Sequence, residues 1–184
     1  MGCLITNGIV KSCDYSVSGI QRVYITNFNK DTTYTNDTDS DAIATITLGD
    51  PTDKYFYFEP LDNTAFFQDD LTVGSNGTKY RTHTVTLLLD GNVYDYNKVA
   101  TALDLGKFTV VTVDASVDSV GSGAVRMFGR MNGLSATANN LASGTAVGDS
   151  KAWTLTLVGT QGELHQILED ESVVTALLPS TTTP

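Results

Sequence analysis

The stretch that decides the fold is residues 64–90, TAFFQDDLTVGSNGTKYRTHTVTLLLD. It consists of two strand-like runs on either side of Asn76-Gly77, and an Asn-Gly pair in that position is a strong signal for a tight β-hairpin turn. Alternate residues of a strand share a face, so each run has two distinct faces. The stretch therefore predicts a long β-hairpin with one apolar and one polar face.

The two arms of this hairpin have matching faces. Hydroxyl side chains occupy the even positions from Thr78 to Thr86 of the second arm, and aliphatic ones occupy the odd positions from Val85 to Leu89, while Asp69 is the exception on the mostly apolar face of the first arm. We expect the apolar face to pack in the core or between subunits. The candidate packing residues are Phe67, Leu71, Val85, Leu87 and Leu89. The candidate residues on the polar face are Gln68, Asp70, Thr72, Thr82, Thr84 and Thr86.

The rest of the chain supports a mainly β fold. Of its 184 residues, 67 are Thr, Val, Ile, Tyr, Phe or Trp, which suit a pleated and half-buried surface. Only Asn92–Asp104 has a helical period, with Asn92 as the predicted N-cap and Val93, Tyr96, Val99, Ala100 and Leu103 on one face. Further strands are predicted at 19–27, 42–48, 54–59, 107–115, 124–130, 133–139 and 153–160, with a short segment at 162–170.

This order of elements predicts a single domain over residues 1–184. The expected architecture is a β-sandwich or barrel with a long β-hairpin and one flanking α-helix, because no strand-helix-strand repetition occurs. Three segments fall outside that body in the prediction. They are an N-terminal arm at about 1–18, a long loop at 28–41 that is rich in Asp, Asn and Thr, and a frayed tail at about 172–184.

Charge and hydropathy exclude several classes of function. The net charge is −10 and the isoelectric point is near 4.3, so the chain has no cluster of Lys and Arg to neutralise phosphates, and ordinary nucleic-acid binding is disfavoured. No apolar run reaches the roughly 20 residues that cross a bilayer, and no leader pattern is present. We expect a soluble protein that is neither exported nor bound to a membrane.

The chain offers little catalytic or metal-binding chemistry. His83 and His165 are the only histidines. No nucleophile elbow accompanies them, and His165 with Glu169 is interpreted as a surface ion pair or as strand-end polarity. Asp37, Asp39 and Asp41 resemble the start of a calcium loop, but the sixth and twelfth positions do not fit, so a solvated acidic turn is favoured. We therefore predict no catalytic, cofactor-binding or metal site.

For three shorter patterns we prefer an interpretation without a functional role. Cys3 and Cys13 are interpreted as reduced, with a bridge between them as the less favoured alternative. The opening MGCLIT matches a myristoylation pattern, but six residues match easily by chance and no polybasic segment follows. GSG at 121–123 precedes a strand-like run, which makes it a turn and not a phosphate-binding loop.

The segment from Phe128 to Gln161, with FGRMNGLSATANN and ASGTAVGDSKAWTLTLVGTQ, resembles the C-terminal part of bacteriophage tail tube proteins. The CLITNGI start, GIQRVYITN, the long hairpin and the following helix are also similar to tail proteins of phages that infect Bacteroidetes. The resemblance spans nearly the whole chain. One departure is VDSVGSG at 117–123, where a tighter turn is expected.

The resemblance implies a structural virion protein. Copies would form rings, commonly hexameric, that stack into a tube for genome passage, and the hairpin of each copy would contribute to a shared inner barrel. The polar face of the hairpin would then line the lumen, and phage DNA would pass without specific binding. The expected partners are further copies and other phage tail or connector proteins, and assembly would take place in the host bacterial cytoplasm.

Three alternatives stay open at this point. A ring or connector protein of a short-tailed phage would use the same fold without a long tube. A monomeric β-sandwich binding module would need aromatic platforms, and Trp153, the only tryptophan, lies in an alternating strand where burial is common. An enzyme of unrecognised type would need several His, Asp or Glu residues converging in one pocket.

Overall fold

A computed structural model describes residues 18–91, 96–115, 125–146, 149 and 151–179. The described residues form β-strands over about half of their length, with two short helices. In chain order the elements are β1 (Ile20–Asn27), β2 (Thr33–Asn36), β3 (Ile43–Thr47), β4 (Phe56–Phe58), β5 (Phe66–Val73), β6 (Lys79–Asp90), α1 (Tyr96–Leu105), β7 (Phe108–Asp114), β8 (Val125–Phe128), β9 (Ser135–Ala142), β10 (Ala152–Gln161), β11 (Gln166–Ile167) and α2 (Ser172–Thr175).

The described strands form three antiparallel sheets, which confirms the prediction of a mainly β fold. A five-stranded sheet has the order β11-β8-β7-β1-β4, and a four-stranded sheet has the order β5-β6-β10-β9. The third sheet is the β2–β3 hairpin. Every strand predicted from the sequence within the described residues is present, with ends shifted by a few residues.

The five-stranded and four-stranded sheets pack face to face as a β-sandwich. Val23 and Val110 of the five-stranded sheet meet Val85, Leu87 and Leu155 of the four-stranded sheet in one buried cluster. All five side chains are inaccessible to water. Burial of aliphatic side chains of this size stabilises a fold by roughly 1.5–3 kcal/mol each, so this cluster is the main source of stability.

The outer face of the five-stranded sheet is covered as well. Tyr24, Val111 and Met127 point away from the sandwich and pack against Ile43 of β3 and Val174 of α2. The central strand β7 is therefore buried on both faces, which explains its nearly continuous apolar sequence FTVVTVD. The molecule thus has a third, partial layer that the sequence analysis did not predict.

Helix α1 closes one side of the sandwich against β9. The Tyr96 hydroxyl donates to Asn139 Oδ1 at 2.8 Å, and Asn139 Nδ2 donates to Asp104 at 2.7 Å. The Tyr96 ring also lies 4.7 Å from the Trp153 ring. The predicted helix is confirmed from Tyr96 onward, whereas the predicted N-cap at Asn92 lies outside the described residues. Val99, which we expected on the buried face, is 40% exposed.

The loop predicted at 28–41 is wrong in its middle part. Residues 33–36 form β2 and pair with β3, because Thr and Tyr in TYTN favour an extended strand once a partner is available. The turn between them is held by Asp37, whose carboxylate accepts hydrogen bonds from the Ser40 hydroxyl and N–H at 3.0 and 3.1 Å. The Asp-rich composition therefore marks a tight turn at 37–41.

The frayed tail predicted from residue 172 is also wrong as far as residue 179. Val174 of α2 is fully buried, and the Leu177 carbonyl accepts a hydrogen bond from the Tyr55 N–H at 3.2 Å. The apolar residues of SVVTALL hold this segment on the outer face of the five-stranded sheet. Residues 180–184, the predicted N-terminal arm up to residue 17 and the turn at 117–123 lie outside the described residues.

Candidate functional site

The hairpin of β5 and β6 is the element on which the candidate site is built. Its eight pairs of facing residues begin with Phe66 opposite Thr86. At the turn, the Gly74 N–H donates to the Thr78 carbonyl at 2.8 Å. Gly77 has a φ of 80°, a backbone conformation that glycine adopts without strain. The hairpin predicted from Asn76-Gly77 is confirmed.

The apolar face of the hairpin enters the core along only part of its length. Val85, Leu87 and Leu89 are buried, and Phe67 is half-buried with its ring 5.0 Å from that of Phe128. Leu71 is 57% exposed, because it lies nearer the hairpin tip, where no other described part of the chain covers the sheet. Leu71 therefore does not pack within the single chain, and its contact with another subunit stays a prediction.

The polar face is larger than the hairpin. Facing pairs across β6 and β10 place Thr156 beside Thr86 and Thr160 beside Thr82, and the Thr86 and Thr156 hydroxyls lie 3.3 Å apart. β10 was not predicted to belong to this surface, although the alternation in WTLTLVGT was the available signal. We call this surface the threonine face. On the described strands β5, β6 and β10 it comprises Phe66, Gln68, Asp70, Thr72, Tyr80, Thr82, Thr84, Thr86, Leu88, Asp90, Ala152, Thr154, Thr156, Val158 and Thr160.

The threonine face carries almost no charge. Asp70 is the acidic residue in its middle. Lys79 and Arg81 of β6 lie at odd positions and so belong to the opposite face, and β9 and β10 contain no charged residue. Asp90 lies on the same face at the end of β6. Within the described strands, the face therefore presents hydroxyl groups and two carboxylates, but no cation that would hold a polyanion.

The four-stranded sheet has two open edges. β5 and β9 are its outermost strands, and each is eight residues long. Phe66 and Val73 of β5 are 49% and 57% exposed, and Leu141 of β9 is 46% exposed. Neither strand contains proline or lysine, although Asp69 and Asp70 of β5 and the register irregularity of β9 are features that also limit edge pairing. In the described part of the chain, the outer sides of β5 and β9 are the edges of this sheet that are available to a further strand.

Asp69 is the buried charge at the base of the hairpin. Its Oδ2 accepts hydrogen bonds from the His165 N–H at 3.0 Å and from the His165 ring Nδ1 at 2.7 Å. Its Oδ1 lies 3.5 Å from Arg81 Nε and 3.6 Å from His83 Nε2. Asp69 stood out in the sequence as a single carboxylate on an apolar face. Nothing in the sequence indicated that its partner would be His165, 96 residues further on.

The surroundings explain the protonation states in this cluster. Burial alone would raise the pKa of Asp69, but the hydrogen bonds from His165, with the positive charge of Arg81, hold that pKa below its usual value. His83 is 1% exposed, and burial lowers its pKa, with the neighbouring His165 acting in the same direction and Asp69 opposing it. The native cluster therefore favours a charged Asp69 beside a neutral His83.

The Asp69 cluster is a contact between the two layers of the sandwich. It joins the hairpin of the four-stranded sheet to the segment before β11, which belongs to the five-stranded sheet. The proposed pairing of His165 with Glu169 is wrong, because the imidazole contacts Asp69 and Glu169 is exposed. Among the described residues, no group of three or more His, Cys, Asp or Glu side chains has the arrangement of a metal site. In the same part of the chain, the hydrogen bonds of His83 and His165 involve Gly129 and Asp69, and no Ser, Thr or Cys nucleophile.

The remaining sequence motifs add no site to the described part of the chain. Asp37 belongs to the tight turn described above, where the Ser40 hydroxyl and the Asp39 N–H lower its pKa. Asp41 stands in the same turn with a φ of 56°. Cys3, Cys13, MGCLIT and GSG at 121–123 lie outside the described residues. None of the described helices is both long and apolar enough to span a bilayer.

Comparison with known proteins gives no indication of function, so the proposal below depends on the geometry of the four-stranded sheet and on the sequence. No protein-family model, no curated protein and no solved structure matches the chain.

Proposed function

We propose that this chain is a non-enzymatic structural protein of a bacteriophage virion. Copies assemble head to tail into a ring, hexameric as in the tail tube proteins that the sequence resembles, and the rings stack into or extend a tail tube for genome delivery. The open edges of the four-stranded sheet carry this proposal. Its partners are further copies of the chain and neighbouring tail or connector proteins, with assembly in the host bacterial cytoplasm.

The number of strands favours ring closure through these edges. Four antiparallel strands alternate in direction, so β5 and β9 run in opposite directions. When β5 of one copy lies beside β9 of the next, the antiparallel alternation continues without a break. A head-to-tail contact of this kind closes into a ring when the rotation between copies divides a full turn, and closure removes both open edges of the four-stranded sheet.

β5 and β9 are displaced along the strand direction relative to each other, and a closed barrel needs a stagger of this kind. Phe66 and Ala138 lie in one row across the sheet, joined through Thr86 and Thr156. From that row, β5 extends seven residues to Val73 in one direction, and β9 extends four residues to Ala142 in the other. Barrel closure requires tilted strands with a fixed stagger between neighbours, and pairing β5 with β9 of the next copy supplies it.

In such a ring the threonine face lines the lumen. The buried side of the four-stranded sheet faces the sandwich core, so its other side is directed at the ring axis. Hydroxyl groups hold water, and Asp70 repels phosphates. A lumen without cations lets DNA pass without retaining it.

A ring or connector of a short-tailed phage is the second candidate, because it would use the same edges and the same lumen. The two differ in stacking. Purified tail tube rings are expected to form tubes at high protein concentration, whereas connector rings are expected to stay as single rings.

The experiment that tests the proposal compares particle mass for variants of the full chain. Leu141→Lys places a charge on the β9 edge at an exposed position, and we expect it to reduce ring formation strongly while leaving the fold intact. Thr45→Lys is the matched control, since Thr45 is exposed on β3, which packs on the outer face of the five-stranded sheet and away from the edges of the four-stranded sheet. Analytical ultracentrifugation of the two variants and the wild type should give rings for the wild type and Thr45→Lys only.

Equal behaviour of the two variants would overturn the role of the β9 edge. A wild-type chain that stays monomeric at high concentration would overturn the proposed function itself. Circular dichroism of each variant establishes that the β-structure is retained, so that a loss of rings can be assigned to the edge.

A further inference from the structure

An apolar groove of about 910 Å³ opens on the side of the sandwich where β4 and α1 lie. Phe56 and Phe58 of β4 line one wall, and Val99 of α1 lines the other. Phe56 is 51% exposed and Val99 is 40% exposed. Glu59 and Asp62 line the same groove, so its apolar walls lie next to acidic side chains. Concave apolar surfaces of this size commonly hold a ligand or a partner chain.

The groove lies on one side of the sandwich, and the Asp69 cluster lies on the other. β4 and β11 are the opposite edges of the five-stranded sheet, and β9 and β5 are those of the four-stranded sheet. The hydrogen bond between Asp69 and His165 places β5 beside the segment that leads into β11. The contacts of Asn139 place β9 beside α1 and therefore beside the groove. We call the side with β5 and β11 the latch side, and the side with β9, β4 and α1 the groove side.

A ring closed through β5 and β9 brings these two sides together. The latch side of each copy then faces the groove side of the next. The edge pairing lies in the inner layer, which is the four-stranded sheet, and the groove lies in the outer layer, which is the five-stranded sheet. The latch side carries exposed apolar side chains in its outer layer, since Leu164 is 51% exposed and Ile167 is 44% exposed.

We propose that Leu164 and Ile167 of one copy occupy the groove of the next copy. This inference rests on the proposed ring and names the second contact in its interface. The edge pairing sets the position of neighbouring copies through backbone hydrogen bonds, and the groove adds burial of apolar side chains. A ring interface with both contacts is wider than a single strand pair, and obligate interfaces are typically wide and apolar.

The direction of the outer strands indicates side-chain packing at this contact. The five-stranded sheet has an odd number of antiparallel strands, so β4 and β11 run in the same direction. Pairing them across the ring would give a parallel ladder between strands of three and two residues. So short a ladder contributes little, whereas the groove beside β4 accepts apolar side chains.

Charge is compatible with the same arrangement. The latch side holds Arg81, Arg126 and Arg130, and these pair with Asp69, Asp114 and Glu163 respectively. Asp70 and Glu169 are further exposed carboxylates on the latch side. The three ion pairs therefore reduce, but do not remove, the repulsion between this surface and Glu59 and Asp62.

Cross-linking between copies tests the inference directly. In the full chain with Cys3→Ser and Cys13→Ser, we add Phe56→Cys in the groove and Leu164→Cys on the latch side, and treat assembled protein with a short bismaleimide. Within one chain, β4 and β11 are four strand spacings apart, which is roughly 19 Å, so a short linker joins only different copies. The expected result is a ladder of covalent oligomers that ends at the ring order.

The matched control replaces Leu164→Cys with Ser75→Cys. Ser75 is exposed at the hairpin tip, away from the groove in the proposed ring, so this pair should give no ladder. In a second measurement, Ile167→Glu should weaken ring assembly by about tenfold or more, because a carboxylate would enter an apolar groove.

The outcomes separate this inference from the proposed function. Rings in electron micrographs with a ladder from the Phe56 and Leu164 positions support both. Rings without that ladder, or with an equal ladder from the Ser75 control, overturn the groove contact and leave the ring in place. Absence of rings under all conditions overturns both proposals.

Discussion

Asp69 Oδ2 accepts two hydrogen bonds from His165, one from the backbone N–H at 3.0 Å and one from the ring Nδ1 at 2.7 Å. The Asp69 side chain is 7% exposed. These two bonds join the hairpin of the four-stranded sheet to the segment before β11, and so connect the two layers of the sandwich at one side. The position of the β5 edge therefore depends on a residue far away in the sequence.

Asp69→Asn is expected to destabilise the fold by about 2–3 kcal/mol, because it weakens charge-assisted hydrogen bonds at a buried site. Asp70→Asn is the matched control. Asp70 is the next residue, but it is exposed, and its replacement should change the free energy of unfolding by less than about 0.5 kcal/mol. Urea denaturation measures both values, and equal effects would contradict a structural role for the Asp69 cluster.

Acid is expected to destabilise the protein in part through His83. Burial lowers the pKa of His83 below its ordinary value of 6.5, so the unfolded chain takes up this proton at a higher pH than the folded chain. Stability from the neutral His83 is therefore complete above pH 6.5 and declines as the pH falls toward the native pKa. The lowered pKa of Asp69 acts in the same direction, but only at pH values below the ordinary Asp range.

The measurement is the free energy of unfolding of wild type and His83→Gln between pH 8 and pH 5 at about 25 °C. We expect the wild type to lose more stability than the variant over this interval. Parallel curves would show that His83 is not held neutral in the folded protein.

Gly159 of β10 lies opposite His83 in the four-stranded sheet, and Gly159→Ala is expected to be destabilising. A methyl group there would overlap the carbonyl oxygen of Gly133 and come within 2.8 Å of Leu134 Cδ2. Overpacking of this kind typically costs about 1–3 kcal/mol. Gly162→Ala is the control, since its methyl group would have only ordinary contacts at 3.6 Å with Met131. Thermal unfolding should separate the two, and similar melting temperatures would contradict the close approach.

A cation in the proposed lumen should make assembled rings retain DNA. Thr84 lies in the middle of the threonine face, between Gln68 and Val158, so Thr84→Lys adds one lysine per copy to the lumen. Thr101→Lys adds the same charge at an exposed position of α1. We expect Thr84→Lys rings to bind duplex DNA with an affinity that falls as salt rises, while wild-type and Thr101→Lys rings do not. Equal binding by the two lysine variants would place the threonine face away from the lumen.

The sequence predicted local structure well because its signals are local. Asn76-Gly77 predicted the hairpin turn, alternation predicted the burial of Val85, Leu87 and Leu89, and the change of period predicted α1 from Tyr96 onward. These patterns reflect backbone geometry and side-chain burial within one element, and the fold preserves both.

Contacts between distant parts of the chain were not predictable in the same way. Asp69 and His165 are isolated polar residues in the sequence, and their pairing depends on how the two sheets pack. β2 formed where composition indicated a loop, because TYTN becomes a strand once β3 lies beside it. The tail beyond residue 172 docks for a similar reason, since the outer face of the five-stranded sheet is apolar and open to it.

The most direct test of the central claim is negative-stain electron microscopy of the purified full chain across a series of rising protein concentrations. The account predicts rings with a central channel, and stacks of such rings as the concentration rises. A monodisperse monomer at every concentration, with no rings or tubes, would contradict the claim that the edges of β5 and β9 close into a shared barrel.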